Sequence, residues 1–461
     1  MVKDSVYYLL SKGLPAILSF AILFMYLTNM NAKDYGYFSI IILSIGLVNI
    51  ITSQWIRSGM LRYYNEYKDL VGTAITSQIV LIVVICIFIM PILYIMNFNL
   101  INIVLIELIL MNFIANEFLN NYYRARIMPK VVLYGNLIKN FVYVVGLLTL
   151  WSIGVNIRLE HALLSFCLGI ILSNVYFFMH REKQINYNVK KKLIHKFAYY
   201  GIPLTVSFAL GVLLQNIDKF MISYQLGVTR TGDYSLVYDF VHNSLYMVMG
   251  ALGMASLPRI LKLKSLKQRI GEFNKYILIL YIISLPILGV FITISTDMTK
   301  VFERFGYSTS WIIIVMIVIL TFIHGINSFV YGQAIQMMED TKLIFIPAGV
   351  AVVINIVLNL ILLPRIGLIS AAISGMIAFF TSNILLYKLI AKDFQINFFP
   401  KRIWVSVIIM IIGILATVFI DTGNVYITIL VKSLLLILLQ ILILTYLMKK
   451  RFFVNSKEGN N

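Results

Sequence analysis

Apolar residues come in long runs along this chain, each close to the ~20 residues an α-helix needs to cross a hydrocarbon layer. Fourteen such runs can be read, at about 9–29, 37–56, 74–96, 100–122, 131–153, 159–179, 199–225, 232–257, 276–297, 311–337, 343–363, 367–390, 403–421 and 425–447. The pattern predicts an all-α polytopic membrane protein with about 14 transmembrane helices. Polar connections between the runs are short, and the longest on the predicted outer side, about 298–310, has some thirteen residues. That is too little chain for a soluble catalytic domain. The first run opens near Tyr8 and is followed by Asn29–Asp34 without a small-residue cleavage site. It reads as a retained span, not a signal peptide.

The basic residues in the connections set the direction of each span. With the N-terminus taken as cytoplasmic, 29 of the 38 Lys and Arg fall on the inner side and six on the outer side. The remaining three, Lys139, Lys219 and Lys432, lie within spans. Short inner loops carry the excess of Lys and Arg, so both termini are expected in the cytoplasm.

Composition agrees, with 60% hydrophobic and 12% charged residues, where soluble domains carry roughly 25% charged residues. A net charge of +19 would suggest nucleic acid in a soluble protein. Here it follows from topology and attraction to anionic membrane lipids, and no nucleic-acid partner is expected. Cys86 and Cys167 both lie in apolar runs, which excludes a disulfide framework or a Cys-rich metal site. No G-x-x-x-x-G-K-[ST] loop is present, so the chain is not by itself an ATP-driven pump. Without an H-E-x-x-H or nucleophile motif, neither an enzyme nor a cofactor is expected.

The longest inner loop, His180–Phe197, separates six spans from eight. Gly201-Ile202-Pro203 opens span 7 as Gly13-Leu14-Pro15 opens span 1. Lys33-Asp34-Tyr35-Gly36-Tyr37-Phe38-Ser39 leads into span 2, and Arg230-Thr231-Gly232-Asp233-Tyr234-Ser235 leads into span 8. Six spans per repeat is an even number, so both halves enter the membrane in the same direction. That is a parallel repeat, with a site expected near mid-membrane between the halves. The expected division is 1–198 and 199–398 as two six-helix bundles, with 399–461 holding an added pair and a cytoplasmic tail.

Two stretches carry a family resemblance. One runs from Asn355 through Asn359, Pro364 and Gly367 to Ala371-Ala372. The other runs Gln215-Asn216-Ile217-Asp218-Lys219 to Gly227, followed by Gly232-Asp233-Tyr234. Both resemble junctions of the Wzx-like polysaccharide and O-antigen flippase family, in the superfamily of lipid II flippases and MATE exporters. The resemblance covers essentially the whole chain, and the added C-terminal pair is similar to that of fourteen-span members. It implies two six-helix bundles around a central cavity. It also implies alternating access that moves an undecaprenyl-diphosphate-linked oligosaccharide across the bacterial cytoplasmic membrane. On their own, these residues also read as packing: Asn355 and Asn359 share a helix face, Pro364 ends span 11, Gly367 turns the chain, and Ala371-x-x-x-Gly375 permits close packing.

An ionisable residue inside the bilayer is costly and faces a cavity or a partner. Lys12, Arg57, Glu117, Arg126 and Lys139 lie in the predicted inner half, and Glu107, Asp218, Lys219 and Asp239 in the outer half. A diphosphate head group needs cations. Lys139 is the leading substrate contact, since nothing about a helix interior requires a lysine there. Pairing with Glu117 is its structural alternative. Lys12, Arg57, Arg126 and Lys219 are further cavity candidates that could equally snorkel to an interface. Asp218, Asp239, Glu107 and Glu117 are candidate groups for proton or sodium coupling. His242, which shares a face with Asp239, and His324 near mid-span 10 read more readily as packed or hydrogen-bonded than as titrating. The leading function is a lipid-linked oligosaccharide flippase that contacts polysaccharide polymerase machinery. A MATE-like ion-coupled drug exporter is the alternative, and would favour an acidic or apolar pocket. A polymerase or ligase is disfavoured because it would need a large outer loop.

Overall fold

The computed structural model describes residues 18–64, 66–67, 69–181, 187, 189–263, 265–338, 344–390, 396–400 and 403–449. Each predicted run contains a helix, and no strand occurs among the described residues. The helices are α1 (Leu18–Asn29), α2 (Ala32–Tyr63), α3 (Leu70–Ile95), α4 (Leu100–Ala125), α5 (Pro129–Ser152), α6 (Leu159–Met179) and α7 (Lys191–Leu226). They continue with α8 (Val228–Leu261), α9 (Leu266–Arg304), α10 (Trp311–Met337), α11 (Phe345–Ile366), α12 (Leu368–Ile390), α13 (Ile403–Thr417) and α14 (Val425–Lys449). Twelve are long and apolar enough to cross a membrane; the described part of α1 and all of α13 are shorter. The chain is therefore an all-α, multi-pass membrane protein.

Several ends differ from the sequence reading. The 39 residues of α9 extend about 58 Å at 1.5 Å per residue, well beyond the hydrocarbon. Its first turns, Leu266-Lys-Gln-Arg-Ile-Gly-Glu, contain good helix formers that need no lipid to stay helical. Pro364 does not end α11, which continues to Ile366 and stops at Gly367 with φ +65°. A proline in the last turn forfeits one hydrogen bond, whereas the left-handed backbone that follows suits glycine. α13 stops at Thr417, short of the expected 421, where Asp421-Thr422-Gly423-Asn424 supplies turn chemistry.

The chain divides into two compact units, Met1–Ser235 and Leu236–Asn461, with the division inside α8. In the first unit α2 lies along α7, and α6 packs on α4 and α5. Glycines permit the α2–α7 approach. A Cβ on Gly59 would enter Phe197, and one on Gly201 would enter the Trp55 backbone. Near the first turns of α2 and α8 the contact is reciprocal. A Cβ on Gly36 would strike the Val228 carbonyl, and one on Gly232 would strike the Ala32 carbonyl. Each glycine thus meets the carbonyl four residues before its counterpart, as a local two-fold requires. These are the segments that the sequence pairs as repeats. The other pair cannot be compared, because Gly13-Leu14-Pro15 lies outside the described residues.

In the second unit α11 and α12 form a tight hairpin, with Asn355 and Asn359 buried on one face and hydrogen-bonded to each other. α12 also packs on α10, while α9 carries both α13 and α14. Lys432 of α14 donates to Asp297 of α9 at 2.6 Å, and both side chains are buried. Two π-helical turns, His242–Tyr246 in α8 and Asn327–Tyr331 in α10, face each other through a Tyr246 Oη to Ser328 Oγ hydrogen bond.

Candidate functional site

The first unit gathers its polar side chains by helical spacing. On α2, Asn49, Ser53 and Arg57 recur every four residues and share one buried face. On α4, Asn112, Asn116 and Asn120 repeat at the same interval. Asn116 donates to Ser173 Oγ and Asn174 Oδ1 of α6, both at 2.9 Å, and Asn174 returns a bond to the Asn112 carbonyl. Ser173 donates to the Gly135 carbonyl of α5 at 2.8 Å. This ladder of neutral amides ties α4, α5 and α6 together beside the charged groups.

Arg57 is only 2% exposed. Its two terminal nitrogens donate to Asn49 Oδ1 at 2.8 Å and Gln54 Oε1 at 2.7 Å. Its Nε is buried with no acceptor. The guanidinium is therefore held by two neutral amides on its own helix, not by a carboxylate, and it does not snorkel. Lys139 on α5 is half-buried and makes no hydrogen bond or ion pair among the described residues. Glu117 of α4 attracts both cations but forms an ion pair within 4.0 Å with neither. Two cations thus share one carboxylate, leaving a net positive charge inside the membrane-spanning part of the unit. Such a site can receive an anion with several acceptor oxygens.

The other predicted residues are not brought together there. Arg126 caps α4 and lies over the Tyr122 ring at 5.5 Å, nine residues beyond Glu117, or about 13 Å along the helix. Lys219 is buried and donates to Ser39 Oγ at 3.3 Å. Ser39 is eighteen residues before Arg57 on α2, so Lys219 sits about 27 Å from that level. Asp218 is buried beside Lys219 in the sequence. Glu107 is ten residues before Glu117 on α4, and its Oε1 is buried without a partner. Asp239 belongs to the second unit, and Lys12 lies outside the described residues.

Sequence reasoning missed Gln54, Asn49 and the Asn112–Asn116–Asn120 ladder as partners of the site, although the four-residue spacing of the asparagines was readable. It also left Lys432 without its partner Asp297. In the second unit His324 is 5% exposed and stacked between Tyr246 and Phe379, each at 4.4 Å. Its Nδ1 has no hydrogen-bond partner. No group of three His, Cys, Asp or Glu side chains fit to hold a metal occurs among the described residues.

Comparison with known proteins places this geometry. A Shigella flexneri protein named for O-antigen transport is 22% identical over 222 residues, 48% of this chain and 53% of that protein. The chain thus spans about half the length of the curated relative it matches. Among solved structures, the lipid II flippase MurJ in an inward closed conformation superposes with a TM-score of 0.69 at 18% identity, covering 98% of this chain and 100% of that one. An inward-facing multidrug resistance MATE family transporter of the MOP superfamily gives 0.59 at 12% identity, covering 84% and 95%. These likenesses show a shared fold. Residues 1–264, more than half of the 461, match the family described as "Polysaccharide biosynthesis protein", and the chain belongs to that family.

Proposed function

We propose that the protein moves an undecaprenyl-diphosphate-linked oligosaccharide, the repeat unit of an O-antigen, capsule or other surface polysaccharide, across the bacterial cytoplasmic membrane. The observation that carries this reading is the electrostatic state of Arg57 and Lys139. Arg57 is buried on neutral amides with its Nε unbonded, and Lys139 makes no hydrogen bond or ion pair among the described residues. A diphosphate supplies the missing acceptors and charge. Family membership, a relative named for O-antigen transport and the fold shared with a lipid II flippase support the same reading. A drug exporter for organic cations would need acidic or apolar lining, and one Glu117 against two cations does not provide it.

The lipid tail, on the order of 55 carbons at ~0.8 kcal/mol per buried CH₂, does not leave the bilayer. Only the head group crosses, by alternating access of the repeats 1–198 and 199–398, with 399–461 as an accessory pair and tail. Both termini face the cytoplasm. The protein transports and does not catalyse. The energy source is the membrane potential or a proton or sodium gradient, with Asp218, Asp239, Glu107 and Glu117 as the coupling groups. Membrane lipids and the polymerase that receives the flipped unit are its partners.

The test is glycan export in cells, normalised to folded protein in the membrane. Lys139→Glu replaces attraction with repulsion and should cut export at least about tenfold, or ~1.4 kcal/mol. Lys139→Arg should retain most activity, and Lys139→Ala should be intermediate. Full export by Lys139→Glu at normal abundance would remove Lys139 from the site.

A further inference from the structure

The accessory pair meets α9 at a small cavity with two polar side chains in its lining. Its lining is Ile282 and Pro286 of α9, Ser406 and Ile409 of α13, and Gln440 of α14. Its volume is about 10 Å³, counted over the positions a water centre can occupy. Gln440 is 2% exposed and Ser406 5%. Both amide atoms of Gln440, Nε2 and Oε1, and the Ser406 hydroxyl lack a hydrogen-bond partner among the described residues. Pro286 has no N–H, so the Ile282 carbonyl four residues earlier also lacks its helical donor.

From this joint we infer that the cavity binds one water molecule, held by the Gln440 amide, the Ser406 hydroxyl and the Ile282 carbonyl. Three physical arguments select water. The volume has room for a molecule the size of water. The lining offers a donor at Nε2, acceptors at Oε1 and Ile282, and a hydroxyl that serves as either, so a ligand that both donates and accepts can satisfy every group. A metal cation would be repelled by the Nε2 hydrogens and would find no carboxylate among the five lining residues.

A Cβ built on Gly289 or Gly413 would lie 3.8 or 3.9 Å from Gln440 Nε2, so the amide is packed between α9 and α13. Eight residues separate Gly289 from Asp297 on α9, and eight separate Lys432 from Gln440 on α14. The two antiparallel helices are therefore joined at two polar stations about 12 Å apart. One is an ion pair and the other is a hydrated amide.

The test uses the full chain in lipid nanodiscs, imaged at a resolution that shows other buried waters. The expected result is a density peak within about 2.6–3.2 Å of Gln440 and Ser406, lost in a Ser406→Ala/Gln440→Leu double variant. X-ray hydroxyl-radical labelling in ¹⁸O water gives a second readout. Buried Ile409 should be labelled in the wild type and at least tenfold less in the double variant. That variant removes all three orphaned side-chain atoms together and should retain the fold. No peak in the wild-type map, a peak contacted by oxygens alone, or Ile409 labelling unchanged in the variant would each overturn the assignment.

Discussion

Lys432→Met should destabilise the second unit through Asp297. At 2.6 Å and an effective dielectric of about 20, the pair attracts by roughly 6 kcal/mol. Desolvation of the two buried ions offsets much of that, at several kcal/mol each. The intact pair is therefore close to neutral in net stability, but removing one partner strands the other, at about 3–5 kcal/mol. Lys300, at 4.0 Å from Asp297 but 58% exposed, is screened and compensates only in part. For a unit of 226 residues, a loss of ~3–4 kcal/mol lowers the melting midpoint by on the order of 10 °C. The assay is thermal unfolding of the purified full chain, followed by size-exclusion fluorescence. Asp297→Lys/Lys432→Asp should recover most of the loss, and Asp297→Leu/Lys432→Met should match or exceed the wild type. A midpoint unchanged within about 1 °C for Lys432→Met alone would refute the reasoning.

The charged cluster of the first unit predicts a rescue: if Lys139 and Glu117 act as a structural pair, Glu117→Lys should restore export to Lys139→Glu, and if Lys139 contacts the diphosphate it should not. Gly36→Leu or Gly232→Leu should reduce the amount of folded protein, because the carbonyls of Val228 and Ala32 occupy the space; normal abundance and export in both would contradict the close approach. Single cysteines at Asn188 and at the exposed Ser308 of the predicted outer loop, without Cys86 and Cys167, should label from opposite faces of intact cells, and outside labelling at Asn188 would reverse the topology. Transport should depend on an imposed potential, worth about 2.3 kcal/mol per charge per 100 mV, or on a proton or sodium gradient; indifference to all three would remove the coupling proposal.

The fourteen helices among the described residues were legible because twenty-residue apolar runs have few alternatives in a chain this poor in charge. Their ends were not, since α7 and α9 stay helical past the apolar stretch on residues that tolerate water. The face that each charged side chain presents was not legible. Arg57 reads equally as snorkelling or buried from its position alone. What decides is Asn49, two turns earlier on the same face, which accepts its N–H. Lys219 and Arg57 look alike as in-span cations, yet a hydroxyl holds one and two amides hold the other, near opposite ends of α2. Lys432 and Asp297 are 135 residues apart, and no local spacing joins them. The Gly36 and Gly232 motifs were visible as a repeat, and only the fold shows that they touch.

The central claim is that the substrate is a lipid-linked oligosaccharide recognised by its diphosphate. Its most direct test is purified protein in proteoliposomes containing undecaprenyl-diphosphate-linked oligosaccharide with a fluorescent label on the glycan. Quencher added outside reports the share of glycan in the outer leaflet. The account predicts that inner-leaflet glycan becomes quenchable with time under an imposed gradient, and that Arg57→Gln and Lys139→Glu abolish this without loss of folded protein. A wild-type protein that leaves the glycan in place but exports an organic cation from the same vesicles would contradict it.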